Sequence, residues 1–293
     1  MVDRVTNQTR VATAQLNLQS SAALLARLQE TASSLNRISR PSDDPTGTAD
    51  SMRVRAAQSA NAQFGRNIDD ANSWLATVDS TLSSATNILH RVRDLTVQGA
   101  NDGSMSPASK EAIAVELEGL KSDLLAQANT KYIGRNIFAG NSDTAVAFNP
   151  DFSINATSGQ VQRRIDANTT VRVDADGAAV FGVGASSAFA LIDKIAADLR
   201  SGVNVGYQLA AVDSRLRAVL GEQGAVGARQ VQVTQTQGTN MARTGTLEAQ
   251  RSGIEDVDLG RTVIQLKQQE VTYQAALAVT ARTLQPTLMD FLH

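Results

Sequence analysis

His90 and His293 are the only histidines of this 293-residue chain, and it has no cysteine. Zinc sites are built mostly from clustered His and Cys ligands, so the common zinc geometries are excluded unless carboxylates supply the donors. Without cysteine there is neither a thiolate nucleophile nor a disulfide framework. Each histidine reads as solvated or as packing. The acidic pair Asp43-Asp44, with Asp50 nearby, has the residue types of a cation site. Set between Pro41 and Pro45 and followed by Thr46-Gly47, the same residues read first as turn and cap chemistry. Gly182-Val183-Gly184-Ala185-Ser186-Ser187 lies between a possible strand and a helix, where a phosphate-cradling loop would lie. A dinucleotide fingerprint needs a third glycine or alanine where Ser187 stands, inside a βαβ unit that this sequence lacks. The segment reads as a flexible return. Trp74, beside a helical stripe, reads as buried packing rather than as a ligand platform. No acid/base pair and no activated nucleophile stands out. The expectation is a non-enzyme with no catalytic, cofactor-binding or metal-binding residues and no cofactor.

Composition points the same way. Apolar residues make up 42% of the chain but aromatics only 4%, so the apolar surface is mostly Ala, Val and Leu. That suits close helix packing better than a bulky core. A net charge of −2 gives no electrostatic footprint for nucleic acid. No run approaches the roughly 18 apolar residues of a membrane span. The N-terminus, Met1-Val2-Asp3-Arg4-Val5-Thr6, lacks the basic region and apolar core of a secretory signal. Arg4, Arg10, Arg27, Arg37 and Arg40 outnumber the acids near one end. Glu255, Asp256, Asp258, Glu270 and Asp290 outnumber the bases near the other, a weak preference for pairing of the ends.

The helices declare themselves by period. Val11, Ala14, Leu18, Ser21, Leu25, Leu28, Ala32 and Leu35 alternate steps of three and four, and the stripe runs to about Ile38. Near the other end Leu259, Val263, Leu266, Glu270, Tyr273, Leu277, Thr280, Leu284 and Phe291 hold the same period. A repeat near 3.5 residues is a seam that needs a partner helix. Between the seams, Arg40-Pro41-Ser42-Asp43-Asp44-Pro45-Thr46-Gly47 is a connector, with Thr48 or Asp50 available to cap the next helix. The unbroken stripe Phe64, Ile68, Ala71, Leu75, Val78, Leu82, Ala85, Leu89 and Val92 predicts a helix over about 50–98, ended by Gly99 and Asn101-Asp102-Gly103. Ser106-Pro107 opens a third helix carrying Ile113, Leu117, Leu120 and Leu124. From Tyr132 the helical period is lost. Thr170 to Asp174 alternates like a strand, and Asp176-Gly177 predicts a hairpin returning through Ala178-Ala179-Val180-Phe181. Helical pattern resumes at Ala190. A long segment from Tyr207 to Glu248 has Leu209, Val212, Leu216, Val219, Val226 and Val233 in register, with Gln223, Gln230, Gln237 and Asn240 making a wetter seam. Gly221, Gly224 and Gly227 are places where it could break.

The fold class is therefore mainly α: an elongated antiparallel helical bundle or coiled coil formed by the N- and C-terminal halves, with a small β-rich insertion at 141–186. Leu18, Leu25, Leu28 and Leu35 are expected to face Leu266, Tyr273, Leu277, Leu284 and Phe291, or neighbouring chains.

Several segments, in this order, resemble the flagellin-like axial proteins of bacterial flagella. They are Ile38 to Gly47, with Pro41, Asp43, Asp44 and Pro45; Phe64-Gly65-Arg66-Asn67-Ile68-Asp69-Asp70-Ala71; Leu89 to Asn101; Gly134-Arg135-Asn136-Ile137-Phe138-Ala139-Gly140-Asn141; Ile254 to Leu259; and Gln285-Pro286-Thr287-Leu288-Met289-Asp290-Phe291-Leu292. The prolines flanking the acidic pair and the Asp-Phe-Leu tail resemble the hook-associated protein 3 type, which joins hook to filament. The resemblance implies residues 1–46 and 254–293 as an inner coiled-coil layer, 47–140 and 187–253 as a surrounding helical layer, and 141–186 as a small outer domain. It implies export through the flagellar type III channel without a cleaved signal, an extracellular place at the hook–filament junction, and assembly into a ring or helical oligomer of itself. Its partners would be another hook-associated protein on the hook side, flagellin on the filament side and a flagellar export chaperone. A filament flagellin is the alternative within the family, and a secreted coiled-coil adaptor unrelated to flagella is the alternative outside it.

Overall fold

The computed structural model describes residues 7–101, 105–157 and 159–283. Helices α1 (Asn7–Ser34), α2 (Pro45–Ala100), α3 (Pro107–Ala128), α4 (Gly177–Phe181), α5 (Ala188–Ser201), α6 (Leu209–Glu255) and α7 (Leu259–Thr283) account for most of them. Strands β1 (Lys131–Tyr132), β2 (Arg135–Asn136), β3 (Gln162–Arg164) and β4 (Thr170–Arg172) form two antiparallel pairs and no closed sheet. The chain divides into two compact units, Met1–Ser59 with Thr244–His293, and Ala60–Arg243.

In the unit 60–243 the predicted stripes form the core. Ile68, Leu75, Leu82 and Leu89 of α2 and Val212, Val219, Val226 and Val233 of α6 are buried in one cluster. The two helices run antiparallel, as the bonds Arg93 Nε to Asp213, Gln223 Nε2 to Asp79 and Asn61 Nδ2 to the Asn240 carbonyl require. Gly221, Gly224 and Gly227 do not break α6. They lie off its buried face, with open space where a Cβ would stand. Each costs roughly 1 kcal/mol of helix propensity, which burial of the valines one turn away offsets. Ser106 caps α3 by accepting from Ser109 N, with Pro107 in the first turn. α3 and α5 pack together, and Lys121 Nζ lies 2.6 Å from Asp193 across them.

The middle region departs from expectation. β4 pairs with the upstream β3, with Gln162 opposite Arg172 and Arg164 opposite Thr170, not with a returning strand at 178–181. Asp176 accepts from the N–H groups of Ala178 and Ala179 and so caps the short helix α4. An Asp-Gly step serves a hairpin turn and a helix start equally well. Burial decides between them, because Val180 and Phe181 enter the core. Phe138, Phe148, Phe181 and Phe189 meet there with ring centroids 5.1 to 5.8 Å apart. Much of the small aromatic complement is thus spent on this one region. Gly140 has φ +60, and a Cβ there would stand 2.4 Å from the Gly159 carbonyl oxygen. The segment Gly182 to Ser187, expected as a flexible return, is a helix-to-helix link: Gly182 (φ 76) ends α4, and Ser187 caps α5 by accepting from Ala190 N.

The hairpin β1–β2 lies ahead of the predicted insertion. Its two-residue turn puts both Ile133 (φ 46) and Gly134 (φ 79) in the left-handed region, the signature of a type I′ turn, which favours Asn-Gly. A β-branched residue is strained there, and Ile133 is also largely exposed. Ile133→Asn should therefore stabilise the protein by about 0.5–1 kcal/mol, read as a raised thermal midpoint.

Candidate assembly interface

The site is built in the unit that joins the two chain ends. α1 and α7 pack antiparallel: Gln269 Nε2 donates to the Ser21 carbonyl (3.1 Å) and to Ser21 Oγ (2.9 Å), while at the near end Val257 N donates to the Leu35 carbonyl. Of the predicted seam, Leu18, Leu25, Leu28, Leu266 and Tyr273 are half-buried. Leu284 and Phe291, with the rest of the tail and His293, lie outside the described residues. Leu277 is more exposed than these, at 42%. Leu35 lies beyond α1, exposed and left-handed (φ 58). The helix stops at Ser34 rather than near Ile38. The backbone from Leu35 to Arg37 leaves it to bond with residues 255–257, including Arg37 N to the Glu255 carbonyl at 2.7 Å.

The buried face of α7 is more polar than its sequence stripe. It includes Thr262, Leu266, Gln269, Tyr273, Ala276 and Thr280. Gln269 was not among the expected contacts. Its signal was Ser21, the polar break in the opposite stripe, which needs a hydrogen-bond partner once packed. The larger consequence is on the outside. Leu16 on α1 and Ile264, Val271 and Val279 on α7 expose between 62% and 66% of their surface. Ile264, Val271 and Ala278 are spaced seven apart and share one outward face of α7. Singly exposed apolar residues are ordinary, whereas a row of them on paired helices marks an interaction surface.

Each connector residue has a defined part. Asp43 Oδ2 accepts from Arg40 N (3.0 Å), and Asp43 N returns a bond to the Arg40 carbonyl (2.9 Å), closing the turn that holds Pro41. Asp44, not Thr48 or Asp50, caps α2: its Oδ1 accepts from Gly47 N at 2.8 Å, and Pro45 fills the first helical position, where its missing N–H costs nothing. Gly47 is buried, and a Cβ there would stand 2.4 Å from Asp44 Oδ2 and 2.8 Å from Ile38 Cδ1. The carboxylates of Asp43 and Asp44 thus serve the backbone, while Asp50 Oδ1 pairs with Arg53 Nη2 at 2.6 Å. Among the described residues no group of three His, Cys, Asp or Glu side chains could hold a metal.

Glu255, the last residue of α6, fastens the connector end. Its buried carboxylate accepts from Arg55 Nε (2.8 Å) and Nη2 (2.9 Å), from Ser51 Oγ, and from Arg251 Nη1 (3.2 Å). The Arg55 hydrogen bonds first, then Ser51, overcome burial and hold its pKa down to about 2. Of the other chemical candidates, His90 is exposed. Trp74 is buried against Tyr132, with the Arg163 guanidinium 5.2 Å over its ring. No helix among the described residues is long and apolar enough to cross a membrane.

Helical ends packed on each other around a polar connector match a known pattern at both termini. Residues 5–143 match the bacterial flagellin N-terminal helical region, and residues 209–292 match the bacterial flagellin C-terminal helical region. The chain belongs to the bacterial flagellin family. Within it, the chain is 26% identical to a flagellin of Bacillus subtilis over 92% of each sequence. It is 25% identical to the flagellar hook-associated protein 3 of Salmonella typhimurium over 88% of this chain and 90% of that one. A solved flagellar hook-associated protein from Vibrio parahaemolyticus shares the fold, with a TM-score of 0.68 over 73% of this chain and all of that one, at 21% identity. An adaptor unrelated to flagella does not account for a flagellin match at both ends.

Two predictions concern this flagellin-family connector. Asp44→Ala should cost about 1 kcal/mol in a urea melt, and Asp44→Asn should restore most of it. Glu255 has a depressed pKa, so its contribution is complete above the ordinary carboxylate range and fades as pH falls from about 4.5 towards 2. Glu255→Gln should lower stability at pH 7, by about 2 kcal/mol for the charged hydrogen bonds weakened. It should also flatten the acid limb of the stability profile between those two pH values; an unchanged limb would contradict the assignment.

Proposed function

We propose that this chain is a structural axial protein of the bacterial flagellum of the hook-associated protein 3 kind, joining hook to filament as a ring of copies. The observation that carries the proposal is the row of apolar side chains left outside the α1–α7 pair, led by Leu16, Ile264 and Val271. A lone helix pair gains little from ordering itself. Neighbouring copies that bury the outward row offset that entropy cost, and head-to-tail contacts of this type continue around or along an axis. In this reading residues 1–46 and 254–293 form the inner coiled-coil layer, 47–140 and 187–253 the helical layer around it, and 141–186 the outer domain. Its neighbours are further copies, another hook-associated protein on the hook side and flagellin on the filament side. A flagellar export chaperone delivers the chain to the type III channel, through which it reaches the cell exterior. The Pro41–Pro45 connector and the Asp290-Phe291-Leu292 tail favour the junction role. The match to Bacillus subtilis flagellin over nearly the whole chain favours the second reading, a filament subunit.

The two readings separate in a deletion strain. Loss of a junction protein leaves hooks in place and flagellin shed into the medium, whereas loss of the filament subunit leaves no flagellin to shed. The interface itself is tested by Ile264→Asp, a surface change expected to alter monomer stability by no more than about 0.5 kcal/mol. The variant should keep the parent's helical content and fail to assemble, as should Leu25→Asp, which also loosens the inner seam. Normal flagella from Ile264→Asp would remove the outward row from the interface.

A further inference from the structure

The pairing of α2 with α6 has a register problem that its apolar residues do not solve. The core-facing residues of α2 recur every seven positions as Asn61, Ile68, Leu75, Leu82 and Leu89, and those of α6 as Val212, Val219, Val226, Val233 and Asn240. A slip of seven residues, about 10 Å along the axis, sets valine opposite leucine or isoleucine again at almost every level. The hydrophobic seam therefore supports neighbouring registers nearly equally.

Within the unit 60–243 one level breaks the degeneracy. Asn61 is buried, and its Nδ2 donates to the Asn240 carbonyl (3.1 Å). Asn240 Nδ2 donates in return to the Asn61 carbonyl (3.0 Å) and to Asn61 Oδ1 (3.0 Å). Each side chain thus reads the backbone of the opposite helix as well as its own counterpart. A Cβ on Gly65 would stand 3.3 Å from Asn240 Oδ1, so the helices are close here. Slipping by seven residues would set each amide against an apolar side chain and leave Asn61 buried, and Asn240 half-buried, without these partners. Outside this unit, Glu255 at the end of α6 also binds Ser51 and Arg55 of α2; the other bonds between the helices within 60–243 discriminate less. The Arg93–Asp213 pair is about two-fifths exposed on both sides, and Gln223 to Asp79 and Gln237 to Asp69 are long, at 3.3 and 3.4 Å.

We propose that the Asn61–Asn240 pair is a register lock, selecting one axial offset of α6 against α2 from several that the heptad seam would accept. A polar pair in a coiled-coil seam sets alignment at some expense of stability. The inference does not depend on the proposed axial role.

The absence of native cysteine makes the test direct. Spin labels at Ala62→Cys and Ala228→Cys, both exposed, lie at axially offset levels of the two helices, and pulsed dipolar spectroscopy on the full chain reads their separation. The parent should give one narrow distance. Asn61→Val combined with Asn240→Val should keep or raise the thermal midpoint and add a second population displaced by roughly one heptad, about 10 Å. Gln223→Leu, which makes another seam position apolar, should leave the single distance unchanged. An unshifted single distance in the double variant, or a second population in Gln223→Leu as well, would overturn the lock. So would early melting of the double variant, since the pair would then be supplying stability rather than alignment.

Discussion

Two helices laid side by side can cover one apolar face each, and α1 and α7 have more than one. Their inner faces meet through Leu18, Leu25, Leu28, Leu266 and Tyr273, while Leu16, Ile264, Val271 and Val279 remain in solvent. Even the inner seam is only half-buried. The ends of this chain are therefore incomplete as a monomer in a way that the unit 60–243, with its buried Leu, Val and Phe cluster, is not. That asymmetry is what an assembling subunit needs: a part that folds alone and a part that finishes folding on its neighbours.

Polar groups do the specifying work in both units. Ser21 and Gln269 pin α1 to α7 where an all-apolar stripe could slide. The Glu255 carboxylate gathers Ser51, Arg55 and Arg251, while its own carbonyl accepts from Arg37 beyond α1. Asp43 and Asp44 spend their charge on backbone N–H groups of the connector. Side chains that could be mistaken for a cation site or an active site are occupied in fixing where helices start, stop and align.

Periodicity made the long helices legible. The stripe from Ile68 to Val92 left one way to bury that face of the helix, and the valines of α6 supplied its complement. What periodicity could not resolve was local competition. Asp176-Gly177 fits a turn or a cap, and only the Phe138–Phe148–Phe189 cluster receiving Phe181 decides for a helix. Likewise nothing short-range announced that Leu35 would leave the helix, because the cause is backbone pairing with residues 255–257, some 220 positions away. The interface was half visible. A heptad count finds the stripe facing the first partner but not the second row, since Ile264 and Val271 lie where a two-stranded coil would place solvent-facing residues. The family resemblance implies the ends as the assembling part, and the geometry separates the faces of α1 and α7 that meet each other from the row that stays exposed.

The most direct test is solvent access to that open face in the two states. A single cysteine at Val271→Cys, in a chain that otherwise has none, can be alkylated in the soluble protein and again in isolated flagella carrying it. The account predicts rapid modification of the soluble chain and strong protection after assembly. Equal rates in both states would mean that no neighbouring copy covers α7, and the claim that assembly completes the chain ends would fail.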